Sequence, residues 1–327
     1  MVISMKIQKK VVICYYEHPH VDYEKEILKD AGLGCEEYRI ETNEDISDLV
    51  GDADALLVQH NTVGPKVIDS MKKCKIIVRY GIGYDNLDVK YAEGRGIYCC
   101  NVPDYCIDEV SDHAISLLLN LARGISRYDR AKKSEAFGFA ISRPIHNFRD
   151  LTVGIVGVGR IGKSTARKLG AFGFRLLGTD PQVNRETMEA LGIEKTGFEE
   201  ICRRSDFITL HCILNDETRH MFGFRQFDMM KSTAFIINTS RGSVIDEGKL
   251  ITALQEKKIA GAGLDVFEIE PIQPGNGLLT LDNVLLTPHA AWYSEKSIIE
   301  LKKKAALEAV RVLKGEAPRN PVNAPCI

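Results

Sequence analysis

The chain is 327 residues long, more than a single domain ordinarily holds, so two domains are expected. Its 43 Lys and Arg against 45 Asp and Glu leave a formal net charge of −2, which offers no basic field for nucleic acid. The longest apolar helical stretch, residues 114–122, falls far short of a membrane span, and the apolar run behind the first lysines is too brief for a secretory signal.

Residues 8–103 alternate strand and helix patterns. VVICYY (11–16), ALLVQH (55–60), KIIVRY (75–80) and IYCCNV (97–102) are short apolar runs of strand character. Helical periods at Tyr23–Ala31 and Lys66–Lys73 fall between them, the arrangement of a parallel sheet. Cys99 and Cys100 are adjacent within the fourth run. The chain's nine cysteines have no repeated spacing, so they read as reduced core thiols of a cytoplasmic protein, with no disulfide framework and no metal pattern. A long helix is expected from Asp108 to Ser126, and Leu117, Leu118 and Leu121 make it apolar enough to face a domain or subunit partner. Residues 127–150 are charged and irregular, either an arm gripping a second subunit or an ordered linker.

The next stretch, LTVGIVGVGRIGKSTARKLGAFGFRLLGTDP (151–181), organises the rest. A strand leads into Gly157-Val158-Gly159-Arg160-Ile161-Gly162, a helix follows, and a second apolar run ends at Asp180. Gly157 permits the tight turn, Gly159 removes a Cβ that would block a pyrophosphate, and Gly162 lets the helix lie close to the sheet. Asp180, eighteen residues beyond Gly162, stands where a carboxylate accepts the ribose hydroxyls of NAD and repels the extra phosphate of NADP. Further strands are expected at FITLHC (207–212), AFIINT (234–239), GAGLDV (261–266) and VLLTP (284–288), six in all from Leu151 onward, as a doubly wound sheet needs. Asp246 is a plausible cap for a helix over Glu247–Lys257, and Ser294 for a final helix over Glu295–Lys314 that stops at Gly315.

Ligands of open α/β sheets sit beyond the carboxyl ends of the strands. Arg241 follows one such end, Asp265 and Glu270 another, and His289 a third. Each alone is ordinary; their convergence on one edge beside a nicotinamide cofactor suits reduction of a 2-oxo acid. A planar guanidinium holds carboxylate and carbonyl by paired hydrogen bonds. An imidazolium delivers the proton as hydride arrives, and a carboxylate at Glu270 would favour its charged form.

Together VGIVGVGRIG, INTSRGSVIDE, LDVFEIEP and TPHAAW resemble the D-isomer-specific 2-hydroxyacid dehydrogenases over essentially the whole chain. The resemblance implies two doubly wound parallel-sheet domains, a Rossmann nucleotide domain (104–293) inserted into a flavodoxin-like substrate domain (1–103 and 294–327). Residues 127–150 would then be the dimerisation arm of a homodimer. It also implies Arg241 as substrate ligand, Glu270 as the group orienting the imidazole, and His289 as acid and base. Asp265 would bond the nicotinamide carboxamide. Cofactor contacts are implied at Gly157, Gly159, Arg160, Ile161, Asp180, His211, Cys212, Thr218, Thr239 and Ala291. The loop Gly81–Asn86 would clamp the substrate carboxylate through Ile82 and Gly83, its glycines letting backbone N–H groups converge on an anion. One departure is visible: the family's HxPL loop reads His211-Cys212-Ile213-Leu214, without the Pro that would stiffen it.

RYGIGYDNLD, CCNVPDYCIDEVSD and PHAAWYSE further resemble the C-terminal-binding-protein corepressors and their bacterial dehydrogenase relatives, in which residues at the positions of Arg79 and Trp292 line the substrate pocket. Trp292, the single tryptophan, packs either on a substrate side chain or in the core. The expected activity is NAD-dependent interconversion of a 2-oxo acid and its D-2-hydroxy acid. Glyoxylate, hydroxypyruvate or a longer apolar 2-oxo acid ranks above 3-phosphoglycerate. His60-Asn61-Thr62 stands where similar phosphoglycerate enzymes carry an Arg, and no regulatory domain is expected after Ile327. Formate chemistry is disfavoured because those relatives carry Gln at the position of Glu270. The alternative from another class is an NADH-responsive, corepressor-like binding protein.

Overall fold

The computed structural model describes residues 8–17, 19–41, 44–135 and 137–325. The chain forms two compact units: one runs to Tyr105 and resumes at Ser294, and the other spans Cys106–Tyr293.

In the first unit, strands β1 (Lys10–Tyr15), β2 (Gly34–Arg39), β3 (Ala55–Val58), β4 (Ile76–Arg79) and β5 (Tyr98–Cys100) lie parallel in the order β2-β1-β3-β4-β5. That is the flavodoxin-like winding. Helices α1 (Asp22–Asp30), α2 (Pro65–Ser70) and α3 (Val89–Gly94) connect the strands. β3 and β4 are buried at every position because both faces of the sheet are covered, and their sequences are accordingly unbroken apolar runs. One face packs on Leu301, Ala305, Ala309, Val310 and Leu313 of the closing helix Glu295–Leu313; the other packs on Val67, Ile68 and Met71. The closing helix begins with the expected cap, the Ser294 Oγ accepting from the Ser297 N–H at 2.9 Å. β2 was not expected. It is an edge strand reading GCEEYR, with Glu36 and Glu37 exposed, so it carries no apolar run.

The second unit begins with α4 (Ile107–Arg123) and α5 (Ile125–Ala131). A single helix to Ser126 was expected; Gly124, at φ 65°, breaks it in two, and a Cβ there would press on the Ser142 side chain. The stretch 127–150 is therefore helical to Ala131, with 3-10 turns at Phe139–Ser142 and Phe148–Asp150. Then come β6 (Thr152–Val156), α6 (Arg160–Phe172), β7 (Arg175–Thr179), α7 (Arg185–Glu189), β8 (Ile193–Lys195), α8 (Phe198–Arg204) and β9 (Phe207–Leu210). The unit ends with α9 (Phe224–Met229), β10 (Phe235–Asn238), α10 (Glu247–Gln255), β11 (Gly261–Leu264) and β12 (Val284–Leu286). All strands are parallel, in the order β12-β11-β10-β9-β6-β7-β8, a doubly wound sheet whose strand order reverses at β6 and β9. This sheet has one strand more than expected, the three-residue edge strand β8, too short and polar to read from sequence. Asp246 caps α10 as anticipated, accepting from the Lys249 N–H at 3.1 Å.

Candidate active site

The dinucleotide turn lies where β6 meets α6. Gly157 sits at φ 89°, and a Cβ there would run into the backbone of Cys212. A Cβ at Gly162 would strike the Gly157 carbonyl, so only glycine lets α6 start this close to the sheet. Gly159 is different: a Cβ would meet nothing within 4 Å, so this side of the turn is open, as a pyrophosphate would require. The Lys163 N–H bonds the Gly159 carbonyl at 3.0 Å, and the N–H groups ahead of it in the first turn of α6 have no intrahelical acceptor, which suits an anion. Arg160 and Ile161 open this turn of helix. Asp180, just past β7, accepts from the Val158 N–H through Oδ2 and from the Gln182 N–H through Oδ1, both at 2.8 Å. These bonds fix the carboxylate beside the glycine turn while lone pairs remain for a ribose.

Two buried polar atoms at the ends of β9 and β10, His211 Nδ1 and Thr239 Oγ1, have no hydrogen-bond partner among the described residues. Buried polar atoms are ordinarily satisfied, so this pair fits a bound cofactor that supplies the missing contacts. His211 is held by Thr209 Oγ1 at 3.0 Å, and burial pulls its imidazole down to about 4, so it is neutral. The loop that follows lacks the stiffening Pro but is closed by hydrogen bonds instead. Thr218 Oγ1 donates to the Ile213 carbonyl at 2.6 Å and accepts from the Asn215 N–H at 2.9 Å, and Asn215 Oδ1 accepts from the N–H groups of Glu217 and Thr218. Thr218 thus shapes this loop, and Cys212 stands half-buried at its start, against the glycine turn.

Arg241, Glu270 and His289 come from three adjacent strand ends. After β10, Asn238 folds the NTSRG turn: its Oδ1 accepts from the Ser240 N–H and its Nδ2 donates to the Arg241 carbonyl at 2.9 Å. Arg241 Nη1 donates to the Ser240 carbonyl at 2.9 Å. At Gly242 a Cβ would collide with the backbone of Phe267 and Glu268, so the arginine turn rests directly on the loop after β11. Glu270, in that loop, accepts from the Phe267 N–H at 2.9 Å and pairs with His289 Nδ1 at 2.6 Å. Burial disfavours its charge, but the hydrogen bond and charge of His289, the Phe267 N–H and the charge of Arg241 outweigh it and hold the carboxyl below its usual range. With Nδ1 engaged by a carboxylate, Nε2 of His289 is the nitrogen left for a substrate oxygen.

His289 adopts φ 52°, a left-handed conformation that side chains seldom take. Asp265, fully buried, holds it there. Its backbone carbonyl accepts from the His289 N–H at 2.8 Å, and its carboxylate accepts from the N–H groups of Ala290 and Ala291, both at 2.9 Å, and from Thr287 Oγ1 at 2.6 Å. Three of the roughly four lone-pair sites on Asp265 are thereby used within the chain, leaving about one for a carboxamide. Ala291 is buried, and Trp292 is half-buried, edge-on to Tyr293 with ring centroids 5.7 Å apart.

Arg79, Ile82 and Gly83 belong to the other unit. Arg79 ends β4 and is 9% exposed; its guanidinium lies over Gly81, where a Cβ at φ 135° would collide with it. Asn101 Nδ2 donates to the Ile82 carbonyl at 2.6 Å and the Val102 N–H donates to the Gly81 carbonyl at 2.9 Å, pinning the loop to the end of β5. Asn238, Asn101, Thr287 and His113, which meets Thr287 at 2.9 Å, were not expected from sequence. A polar residue closing an apolar strand is their only local signal, and His113 on an apolar helix has none. Among the described residues no group of three or more His, Cys, Asp or Glu is placed to hold a metal, and no helix is long and apolar enough to cross a membrane.

A doubly wound sheet with a dinucleotide turn at its switch point and Arg, Glu and His at neighbouring strand ends is the architecture of a nicotinamide-dependent dehydrogenase. The family model for the NAD binding domain of D-isomer specific 2-hydroxyacid dehydrogenases matches residues 115–291. A glyoxylate reductase of Korarchaeum cryptofilum is 41% identical over 283 residues, 85% of this chain and 85% of that one. A D-3-phosphoglycerate dehydrogenase of Methanocaldococcus jannaschii is 39% identical over 288 residues, 88% of this chain but 55% of that longer one. The crystal structure of D-lactate dehydrogenase from Aquifex aeolicus, complexed with NAD and lactic acid, superposes with a TM-score of 0.89 at 28% identity, over 97% of this chain and 100% of that one. The chain belongs to the D-isomer-specific 2-hydroxyacid dehydrogenase family: an oxidoreductase that uses NAD and acts on the CH–OH group of 2-hydroxy acids.

Proposed function

We propose that the chain reduces a small 2-oxo acid to the D-2-hydroxy acid, with His289 as proton donor, Glu270 orienting it and Arg241 binding the substrate. The observation that carries this is the 2.6 Å bond between His289 Nδ1 and Glu270, a carboxylate that also feels the charge of Arg241. Bound NADH supplies the hydride. Arg241 orients the substrate through paired hydrogen bonds, and His289 Nε2 gives its proton to the carbonyl oxygen, leaving a neutral imidazole still bonded to Glu270. In the oxidative direction the same nitrogen takes the proton back. Arg79, Ile82, Gly83 and Trp292 contribute to substrate selection, the glycine loop by its N–H groups. Gly157, Gly159, Arg160 and Ile161 receive the pyrophosphate and Asp180 the ribose. His211, Cys212, Thr218, Thr239, Asp265 and Ala291 complete the cofactor's surroundings.

Glyoxylate and hydroxypyruvate head the substrate ranking, supported by the glyoxylate reductase relatives, which match 84–85% of this chain. Phosphoglycerate chemistry is the second reading, favoured by relatives of that name that extend well beyond the matched region. A panel of 2-oxo acids, including 3-phosphohydroxypyruvate, assayed by loss of NADH absorbance decides. Turnover is expected with glyoxylate or hydroxypyruvate; background rates with every acid would refute the proposal, and preference for the phosphorylated acid would favour the second reading. A cytoplasmic location and a homodimer complete the proposal.

A further inference from the structure

We propose that His113 is a positioning residue for the acid–base imidazole, acting through Thr287 and Asp265; the inference rests on the role given to His289 above. His113 Nε2 lies 2.9 Å from Thr287 Oγ1 and 3.5 Å from Asp265 Oδ1. Thr287 has a single hydroxyl proton, and it is directed at Asp265 Oδ1, 2.6 Å away. The hydroxyl oxygen can then only accept from the imidazole, so Nε2 of His113 carries the hydrogen. Asp265 in turn receives the N–H groups of Ala290 and Ala291 on its two oxygens, and its carbonyl receives that of His289. A chain of directed hydrogen bonds thus runs from α4 to the left-handed turn that carries His289.

The turn needs such support. A non-glycine residue at φ 52° persists only where its surroundings over-determine it. The side chain of Asp265 can rotate unless something besides the turn itself fixes it, and the Thr287 hydroxyl, oriented by His113, does so. α4 is itself held: it packs on α6, β10 and β11, and Lys168 of α6 donates to Ser111 at 2.7 Å and to Asp112 at 2.6 Å. The helix that begins at the glycine turn therefore steadies the helix that steadies the catalytic turn. His113 touches no reacting atom; its contribution is the placement of one that does.

The test compares His113→Leu, which removes the donor, with His113→Gln, whose amide nitrogen reaches about where Nε2 stood. With glyoxylate and NADH, His113→Leu is expected to lower kcat on the order of 10- to 100-fold, the scale of a misplaced reacting group, with KM for glyoxylate within about twofold. His113→Gln should recover most of that loss. Thr287→Val should behave like His113→Leu, Thr287→Ser like the wild type, and the Val/Leu double variant no worse than either single variant, since all break one chain. NMR of the imidazole nitrogens supplies a readout that does not need turnover: His113 should be the Nε2–H tautomer, and the His289 ring resonances should move in His113→Leu and return in His113→Gln. An Nδ1–H tautomer at His113, equal losses in Leu and Gln, or a loss carried by KM would overturn the proposal. A wild-type chain that reduces no 2-oxo acid would count against the reaction, while the resonances would still decide the role of His113.

Discussion

At the scale of single residues, the set on three strand ends makes separable demands. Arg241→Lys keeps a positive charge but loses the planar fork, so kcat/KM should drop on the order of 100-fold or more, about 3 kcal/mol of transition-state binding; near-wild-type turnover would remove Arg241 from the clamp. Glu270 holds its charge below the usual carboxylate range, with His289 and Arg241 both favouring ionisation over the opposing effect of burial. Glu270→Gln leaves the His289 ring without its carboxylate partner, so kcat for reduction should fall on the order of 10- to 100-fold. Near-wild-type kcat would contradict that orienting role. At the cofactor, Asp180→Ala should narrow the preference for NAD over NADP by on the order of tenfold, measured as the ratio of kcat/KM values. What made these residues legible was chemistry in fixed order: glycines before a helix, then Arg, Glu and His after successive strands. Thr287 and His113 were not legible, because their meaning lies in a hydrogen bond between residues far apart in sequence, and neither type is unusual where it stands.

Among elements, long buried strands and capped helices could be read from sequence, and edges could not. β3, β4 and β9 are buried at every position and announce themselves as apolar runs. β2 and β8 lie at sheet edges and carry charged residues, Glu36, Glu37 and Arg39 on one and Glu194 and Lys195 on the other, a composition that protects an edge and hides a strand at once. The break at Gly124 was hidden for another reason: apolar spacing continues across it, and only the φ of 65° there ends the helix. The tightest demand at this scale is the contact between the turn after β10 and the loop after β11. Gly242→Ala drives a methyl group into the peptide between Phe267 and Glu268, which no rotamer change relieves. The variant should lose about 1–3 kcal/mol of stability in urea unfolding, together with most of its activity, because Arg241 and Glu270 would be pushed apart. Wild-type stability would show that the loops yield more readily than their packing suggests.

For the molecule as a whole, buried histidine links stability to pH. The His211 ring is held neutral down to about 4, whereas in the unfolded chain it takes a proton near 6.5. Between those values the unfolded state binds more protons, so stability falls as the pH drops through this window and is level above it. The cofactor-free chain should lose on the order of 3 kcal/mol to this group by pH 4, and His211→Gln should flatten that part of the urea-derived profile. An equal slope in the variant would assign the loss elsewhere. The proposed homodimer is tested by light scattering on a sizing column. Ile125, Phe137 and Phe139, exposed at 57%, 56% and 70%, should become buried in it, and charge-bearing substitutions there should yield monomers.

The closing helix carries a consequence for biosynthesis. Leu301, Ala305, Ala309, Val310 and Leu313 cover one face of a sheet whose strands are all translated before residue 101. On the ribosome that sheet must wait, with its apolar face bare, while nearly two hundred further residues are made and the intervening unit folds first. Nascent chains of this enzyme should therefore hold on to chaperones until the last helix emerges, and a version permuted to place that helix before β1 should leave the ribosome free of them.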